Sequence, residues 1–360
     1  MIIKPSASRG NRNKQAWQTD LANMITDVEE LMEIVGLTGQ QMEIEALAGK
    51  TTITTKNTAS SSLRAFFPIP TSFPLRVTRS FASRIAKGNP KDPLLLQVLP
   101  KPEESFDYKG FSTNPLNESF FQQDYGVLQK YHGRALLITT GACAIHCRYC
   151  FRRHFPYQQH QQNRRQWQNS LKKLSQDQSL EEIILSGGDP LILPDHQLAA
   201  LIQEIGDIPQ ISTLRIHTRM PVVLPNRITP GLISLLDRTN LNIVIVIHSN
   251  HPNEISPEVG SSLTKLRKVS NAVLNQIVLL KDINDTSDTI ASLNRKLFAY
   301  GILPYYLHML DKVSGAGHFE ADSSVIKRMM IELRQELPGY LVPKVVCETP
   351  GALSKTPVMA

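Results

Sequence analysis

Apolar positions are spread unevenly along the chain. From residue 134 onward they gather into short runs at 135–140, 182–186, 213–217, 242–247, 273–280 and 301–310, each suited to a buried parallel strand. Between the runs lie segments long enough for crossover helices, among them 164–176, 195–206, 229–238 and 286–299. Six such units predict an α/β fold, a partial (β/α)6-type TIM barrel of parallel strands. The alternative is a doubly wound open sheet, but no glycine fingerprint for a dinucleotide follows the first strand. Further on, Ser314–Phe319 reads as a turn, and Val325, Ile326, Met329, Met330 and Leu333 share one helix face that Pro338-Gly339 ends. Leu341 to Val346 reads as one more strand.

The first 133 residues follow another pattern. Leu21, Met24, Ile25, Val28, Leu31, Met32 and Val35 recur at helical spacing and predict a helix from Thr19 to Val35. Thr38 with Gln41 forms a capping-box signature for a second helix to about Ala48. Residues 51–62, rich in Thr, Ser and Asn, read as a connector, and prolines 68, 70 and 74 forbid a long helix there. Asp92–Pro100 is a short apolar run between prolines to which the sequence attaches no chemistry. The expected division is a helical extension and linker over 1–65, a lead-in segment over 66–133 that packs on the barrel, and the barrel with its C-terminal segment over 134–360.

Composition narrows the class. The net charge of +7 fits a basic enzyme or one with an acidic partner. The basic clusters are short, and no aromatic–basic alternation suggests a nucleic-acid platform. No run of 18 apolar residues predicts a membrane span, and the basic residues among the first fifteen are not followed by the apolar core of a secretory signal. Four cysteines, three of them clustered, argue against a disulfide framework and for a reducing, cytoplasmic location.

The candidate chemistry begins at Cys143-Ala-Ile-His-Cys147-Arg-Tyr-Cys150, directly after the first strand of the barrel. Three clustered thiolates can hold three irons of a cubane cluster and leave the fourth open to bind a small molecule. A structural zinc site completed by His146 or His154 is the alternative, though such sites more often pair Cys-x-x-Cys units. The x3, x2 spacing with an aromatic before the third cysteine resembles the radical S-adenosylmethionine (SAM) signature. In parallel barrels the site lies at the C-terminal strand ends. Those ends carry Ser186-Gly187-Gly188-Asp189, then His217-Thr218-Arg219, His248–Glu254 and Asp311-Lys312, with Asn275 and Gln276 on the fifth strand. The double glycine lets a backbone edge approach a ligand closely. Lys355, after a Pro-Gly turn, is either a solvated lysine or the anchor of an aldehyde cofactor.

Several motifs in order carry a wider resemblance. They are Asp92–Pro100, the cysteine motif through Arg-Arg-His-Phe-Pro, Gly-Gly-Asp-Pro-Leu, Pro-Val-Val-Leu-Pro, His-Ser-Asn-His-Pro-Asn-Glu, Asn-Gln-Ile-Val-Leu-Leu and the Lys-Thr-Pro ending. Over about residues 66–357 the chain resembles the lysine 2,3-aminomutase family of radical SAM enzymes, most closely the shorter branch that acts in β-lysylation of translation elongation factor P. The resemblance implies a [4Fe–4S] cluster on Cys143, Cys147 and Cys150, with SAM contacted by Gly187, Gly188, Asp189, His248 and Gln276. It implies pyridoxal phosphate (PLP) as a Schiff base on Lys355, with Tyr131, Arg134 and Arg219 around it. It implies that Arg152 grips the substrate α-carboxylate and that Asp311 and Glu348 receive its ε-ammonium. The implied reaction converts L-lysine to β-lysine, with an external electron donor and a functional link to elongation factor P and its lysylating ligase. Three positions depart from the family pattern: Glu348 stands for Asp, Lys130 for Arg and His308 for Tyr. The longer enzymes continue past the lysine into a zinc-binding, oligomer-forming tail, so the oligomeric state stays open here. The competing reading is a radical enzyme that consumes SAM to modify a macromolecule; bound PLP separates the two.

Overall fold

In a computed structural model, residues 15–38, 73–118, 122–124, 126–157 and 164–358 are described. The apolar runs become the strands β3 (Arg134–Thr140), β4 (Glu182–Gly187), β5 (Thr213–Thr218), β6 (Asn242–His248), β7 (Ala272–Val278) and β8 (Leu303–His308), joined by β9 (Lys344–Cys347). All seven pair in parallel, each with its sequence neighbour. Two antiparallel strands, β1 (Gln122–Asp124) and β2 (Val127–Tyr131), extend the β3 edge, and β10 (Thr356–Pro357) returns antiparallel along β9. The order runs unbroken from β1 to β10, so the sheet curls without closing and the barrel is partial. Among the described residues no helix is long and apolar enough to cross a membrane.

The anticipated crossovers are present as helices Arg164–Leu174, Asp195–Gly206, Pro230–Asp237 and Ser287–Phe298. Helix Pro257–Lys268 between β6 and β7 adds a further one; its signal was the Ser256 cap before a proline, followed by buried Val259, Leu263 and Leu266. The strands are less uniformly apolar than a doubly covered sheet requires. In β5 and β7 buried and half-buried residues alternate; the half-buried positions of β5 are polar or charged, Arg215 and His217 among them, and those of β7 include Gln276. The apolar set, such as Leu214, Ile216 and Ile277, packs in the main hydrophobic core, while Arg215, His217 and Gln276 line a cavity inside the barrel.

The expected helix from Thr19 to Val35 is two helices, Ala16–Ala22 and Val28–Val35. The break has a clear cause. Ile25 pairs with Val77 as a two-residue bridge, N–H to carbonyl at 2.8 and 3.0 Å, and Asp27 then caps the second helix through the Glu29 and Glu30 amides. Helical periodicity survives because Trp17, Ile25, Leu31 and Val35 all enter the core shared with the barrel. The second expected helix to Ala48, the connector at 51–62 and prolines 68 and 70 lie outside the described residues.

The run Asp92–Pro100 acquires a purpose. Asp92 Oδ1 accepts from the amides of Leu94 (2.8 Å) and Leu95 (3.1 Å), capping a one-turn helix, and its Oδ2 accepts from Ala86 N–H at 3.1 Å. That turn fixes Gln97 beneath the cysteine loop, where its carbonyl accepts from Arg148 N–H at 2.9 Å. Asp92→Ala is expected to cost about 1–3 kcal/mol of stability, because it removes a cap and a third acceptor together. A guanidinium chloride midpoint equal to that of the wild type would show that this cap contributes nothing.

Candidate active site

A cavity of about 880 Å³ runs through the barrel interior. The cysteine loop following β3 lines one end of it. Arg134, in register with Glu182 at the start of β4, lines it at the opposite strand ends. The site therefore extends below the C-terminal strand ends, because inward-facing positions on several strands are polar and leave the interior open. A second cavity of about 850 Å³ shares Asp311 and Glu348 with the first.

The cysteine loop is held by backbone contacts and by its own intervening residues. His146 N–H donates to Arg76 O at 2.9 Å, and Arg76 Nη1 donates to Cys143 O at 3.3 Å. Arg148 is fully buried and bonds Phe73 O at 3.0 Å and both oxygens of Glu104. Gly188 backs directly onto the loop: a Cβ there would lie 2.1 Å from Ala142 O, and Asp189 N–H donates to that same oxygen at 2.8 Å. Gly187 sits at φ +119°, a conformation that favours glycine, with Thr140 O where a Cβ would point. The double glycine thus lets the β4 end meet the cysteine loop, and both glycines line the cavity.

Cys143, Cys147 and Cys150 are free thiols that line this cavity. Burial, then the neighbouring Cys150, Asp189 and Cys147, push the Cys143 thiol well above its ordinary value. Burial and Cys147 raise Cys150 to about 11. Two thiols that resist ionisation, with Cys147 beside them, form a donor set that a positive cluster would stabilise. Among the described residues no three His, Cys, Asp or Glu side chains close on a single ion, as the zinc alternative would need. Thiolates on separate irons of a cluster need not converge so tightly.

Arg219 is the junction behind the loop. Its Nη1 donates to Cys147 Sγ at 2.6 Å and Tyr149 Oη at 2.8 Å; its Nη2 donates to Gln97 Oε1 at 2.6 Å and Glu254 Oε2 at 2.9 Å. The sequence reading placed Arg219 around PLP; its guanidinium is instead committed at the cysteine end of the cavity. Asp189, expected at SAM, likewise spends its carboxylate on protein donors: Thr218 Oγ1 and Arg219 N–H at 2.7 Å, Leu191 and Met220 N–H at 3.1 Å. Burial raises its carboxyl to about 6, and those hydrogen bonds oppose the rise. It braces the β4 and β5 ends against each other.

His248 and Gln276 are register partners on β6 and β7, and both face the cavity. Buried His248 Nε2 and His217 Nε2 have no partner in the protein. Burial holds both imidazoles neutral, with Arg219 adding to the effect at His248 and Arg215 at His217. Unsatisfied buried ring nitrogens on a cavity wall are what a polar ligand would complete.

At the other end, Lys355 Nζ pairs with Glu348 Oε1, and Tyr131 Oη donates to Glu348 Oε2 at 2.7 Å. Burial works against the Glu348 charge, but Lys355 and Tyr131 hold its carboxyl below the usual range. Lys355 Nζ lies 5.6 Å from the Tyr306 ring centre, and the Arg134 guanidinium 5.7 Å from that of Tyr131. Burial and then Glu348 raise Asp311 to about 7. Burial and then Lys355 keep His308 neutral. Arg152 points into the same space and forms a two-pronged pair with Glu118, Nε–Oε2 2.9 Å and Nη2–Oε1 2.8 Å. Nothing in the sequence singled out Glu118 or Glu104. Glu254 stood inside a noted motif, and His217 at a noted strand end, both without a role.

The fold and the thiol loop define a class, and comparison with known proteins agrees: the pattern of the Radical SAM superfamily matches residues 137–291. Relatives narrow it. The chain is 44% identical over 346 residues to L-lysine 2,3-aminomutase of Escherichia coli (strain K12), covering 96% of this chain and 95% of that protein. It is 42% identical to the protein of that name from Haemophilus influenzae, over 96% of each chain. It is 31% identical to that of Clostridium subterminale, over 95% of this chain and 77% of that protein. The chain belongs to the L-lysine 2,3-aminomutase family of radical SAM proteins.

Membership implies a [4Fe–4S] cluster, SAM and PLP. The residues present fit all three: a thiol trio for the cluster, unsatisfied ring nitrogens beside it for SAM, and a half-buried lysine among Tyr131, Arg134 and Tyr306 for PLP. Gly188→Ala is expected to displace the cysteine loop, since backbone rather than a flexible side chain meets the new methyl. Overpacking of this kind costs about 1–3 kcal/mol. Iron and sulfide bound on anaerobic reconstitution should fall well below wild type, and undiminished content would overturn the close-approach argument.

Proposed function

We propose that this chain converts L-lysine to β-lysine by moving the amino group from Cα to Cβ. One observation carries the reading: a single cavity joins the three-thiol loop to Lys355, with Arg152 and the acidic pair Asp311 and Glu348 facing the same space. Cys143, Cys147 and Cys150 would hold the cluster, with SAM at the open iron beside Gly187, Gly188, His248 and Gln276. Lys355 would hold PLP covalently, with Tyr131 and Arg134 about its ring and phosphate. When bound, the reduced cluster and SAM supply a hydrogen-abstracting radical, and PLP supplies the conjugated system that lets the nitrogen migrate.

The chain's own side chains orient the substrate and keep charge in balance. Arg152 would take the α-carboxylate with its planar fork. Asp311 and Glu348 would take the ε-ammonium, and the reach from Arg152 to this pair would select the length of lysine. Glu348 is paired with the Lys355 ammonium in this structure. With Lys355 turned to its cofactor, the substrate ε-ammonium would take its place at Glu348, so the buried carboxylate would keep a cation partner. His217, His248 and His308, all neutral, add polar contacts without adding charge. Arg219 and Asp189 brace the cysteine loop and touch neither end of lysine.

On the same reading the chain takes electrons from an external donor and supplies β-lysine for modification of elongation factor P by its ligase, in the cytoplasm. The alternative of a SAM-consuming enzyme acting on a macromolecule loses ground to the cavity that holds Arg152, Asp311, Glu348 and Lys355 together. Anaerobic incubation with PLP, SAM, a strong reductant and L-lysine should yield β-lysine in excess over SAM consumed. SAM lost steadily without β-lysine would overturn the assignment.

Asp311 gives a second test. An ammonium needs its carboxylate form, and the raised carboxyl of about 7 leaves much of it protonated at neutral pH without substrate. Lysine affinity should therefore rise as pH rises from 6 to 8. Asp311→Asn should weaken binding about 10–100-fold, as loss of a charged hydrogen bond does, and flatten that pH dependence. An unchanged profile in the variant would remove Asp311 from the amine site.

A further inference from the structure

Arg152 does not stand alone in the cavity wall. Glu118 takes the side edge of its guanidinium through Nε and Nη2, while Nη1 reaches Ser186 Oγ at 3.1 Å and Gly187 O at 3.5 Å. The pair is nearly dry, with 6% and 7% of the two side chains exposed. A bidentate pair at that depth fixes the plane of the guanidinium as well as its place. With the side edge filled, a second carboxylate can add only at the end edge, through the remaining N–H of Nη2 and by sharing Nη1 with Ser186.

Glu118 is itself held from elsewhere. It follows a segment that crosses to the loop after β8, where Ser112 N–H donates to Lys312 O at 2.9 Å and Ser314 N–H donates to Ser112 O at 2.8 Å. Gly317 lies flat under the Tyr108 ring, where a Cβ would come within 2.2 Å. Burial opposes the Glu118 charge, yet Arg152 and then Lys130 hold its carboxyl below the usual range. It is therefore an ionised anchor on a fixed support.

We propose that Glu118 is the positioning residue for Arg152: by occupying the side edge of the guanidinium it presents the end edge, in one orientation, to the α-carboxylate of the amino acid substrate. The proposal rests on the reading above that Arg152 binds that carboxylate. Glu118 acts through Arg152 and touches no reacting atom. Its effect belongs to binding of the carboxylate and not to the amine end or the radical step.

The test is calorimetric titration of L-lysine and of L-lysinamide, which lacks the carboxylate, into protein loaded anaerobically with cluster and PLP. Without reductant or SAM nothing turns over. Glu118→Gln should weaken lysine about 10–100-fold, the range for a charged hydrogen bond, and leave lysinamide within about twofold. Glu118→Asp, which keeps the charge with shorter reach, should recover part of the loss; it also serves if the Gln variant does not fold. Equal weakening of both ligands would mark Glu118 as merely structural, and tighter lysine binding would mark it as a competitor for the fork; either overturns the proposal. Arg152→Lys, run in parallel, separates the two readings. If it spares lysine binding, the carboxylate role of Arg152 fails; if it weakens lysine while Glu118→Gln does not, the positioning role alone fails.

Discussion

Four separate stretches of this chain meet on one buried guanidinium. Arg219, at the end of β5, bonds the cysteine loop through Cys147 and Tyr149, the capped turn through Gln97 and the loop after β6 through Glu254. Asn250 doubles the connection, donating to Tyr149 Oη at 2.7 Å and Gln97 Oε1 at 3.1 Å. A charge this deep is tolerable because it is densely partnered: Nη1 and Nη2 make two bonds each, and only Nε is left without one among the described residues. The network therefore fixes all its members together. Glu254 illustrates the balance: burial favours its neutral form, yet Arg219 holds its carboxyl below the usual range. What the network gains is a rigid bed beneath a loop whose thiols must stand at set separations.

A second constraint is charge balance inside the barrel. The cavity is lined by several cations and several carboxylates, and the structure settles them in pairs: Arg152 with Glu118, Lys355 with Glu348 and Arg215 with Glu182. Asp311 has no such close partner among the described ion pairs, and its carboxyl is correspondingly raised. The histidines on the wall stay neutral. On the proposed function, a zwitterionic amino acid with a cationic tail would fit such a wall by exchange: its ammonium would relieve Asp311 and replace Lys355 at Glu348, while its carboxylate would add at the Arg152 guanidinium. Preorganisation of this kind places the cost of arranging the site in folding rather than in binding.

Much of the architecture was legible in the chain. The parallel strands could be read because buried runs alternate with helical segments at regular spacing, and the cysteine loop because its spacing is narrow enough to carry chemistry. The N-terminal helix was misread as one piece, since the periodicity of Leu21 to Val35 persists across a break that a distant residue, Val77, creates by pairing with Ile25. The polar positions Arg215, His217 and Gln276 carried the sign of an open interior, but alternation in short strands reads equally well as one exposed face.

Local physics thus determined what could be read locally: strand and helix periods, the caps at Asp27 and Asp92, and three thiols on one short loop. Only the tertiary structure decided which charges became partners. Glu118 and Arg152 are 34 residues apart, and Tyr131 and Glu348 are 217 apart. No spacing rule links such residues, because their meeting depends on how strands and loops converge around one cavity. The same convergence put the Arg219 and Asp189 side chains into the frame of the cysteine loop. A side chain's type fixes what it can bond; the dielectric and the neighbours that folding supplies fix what it does bond.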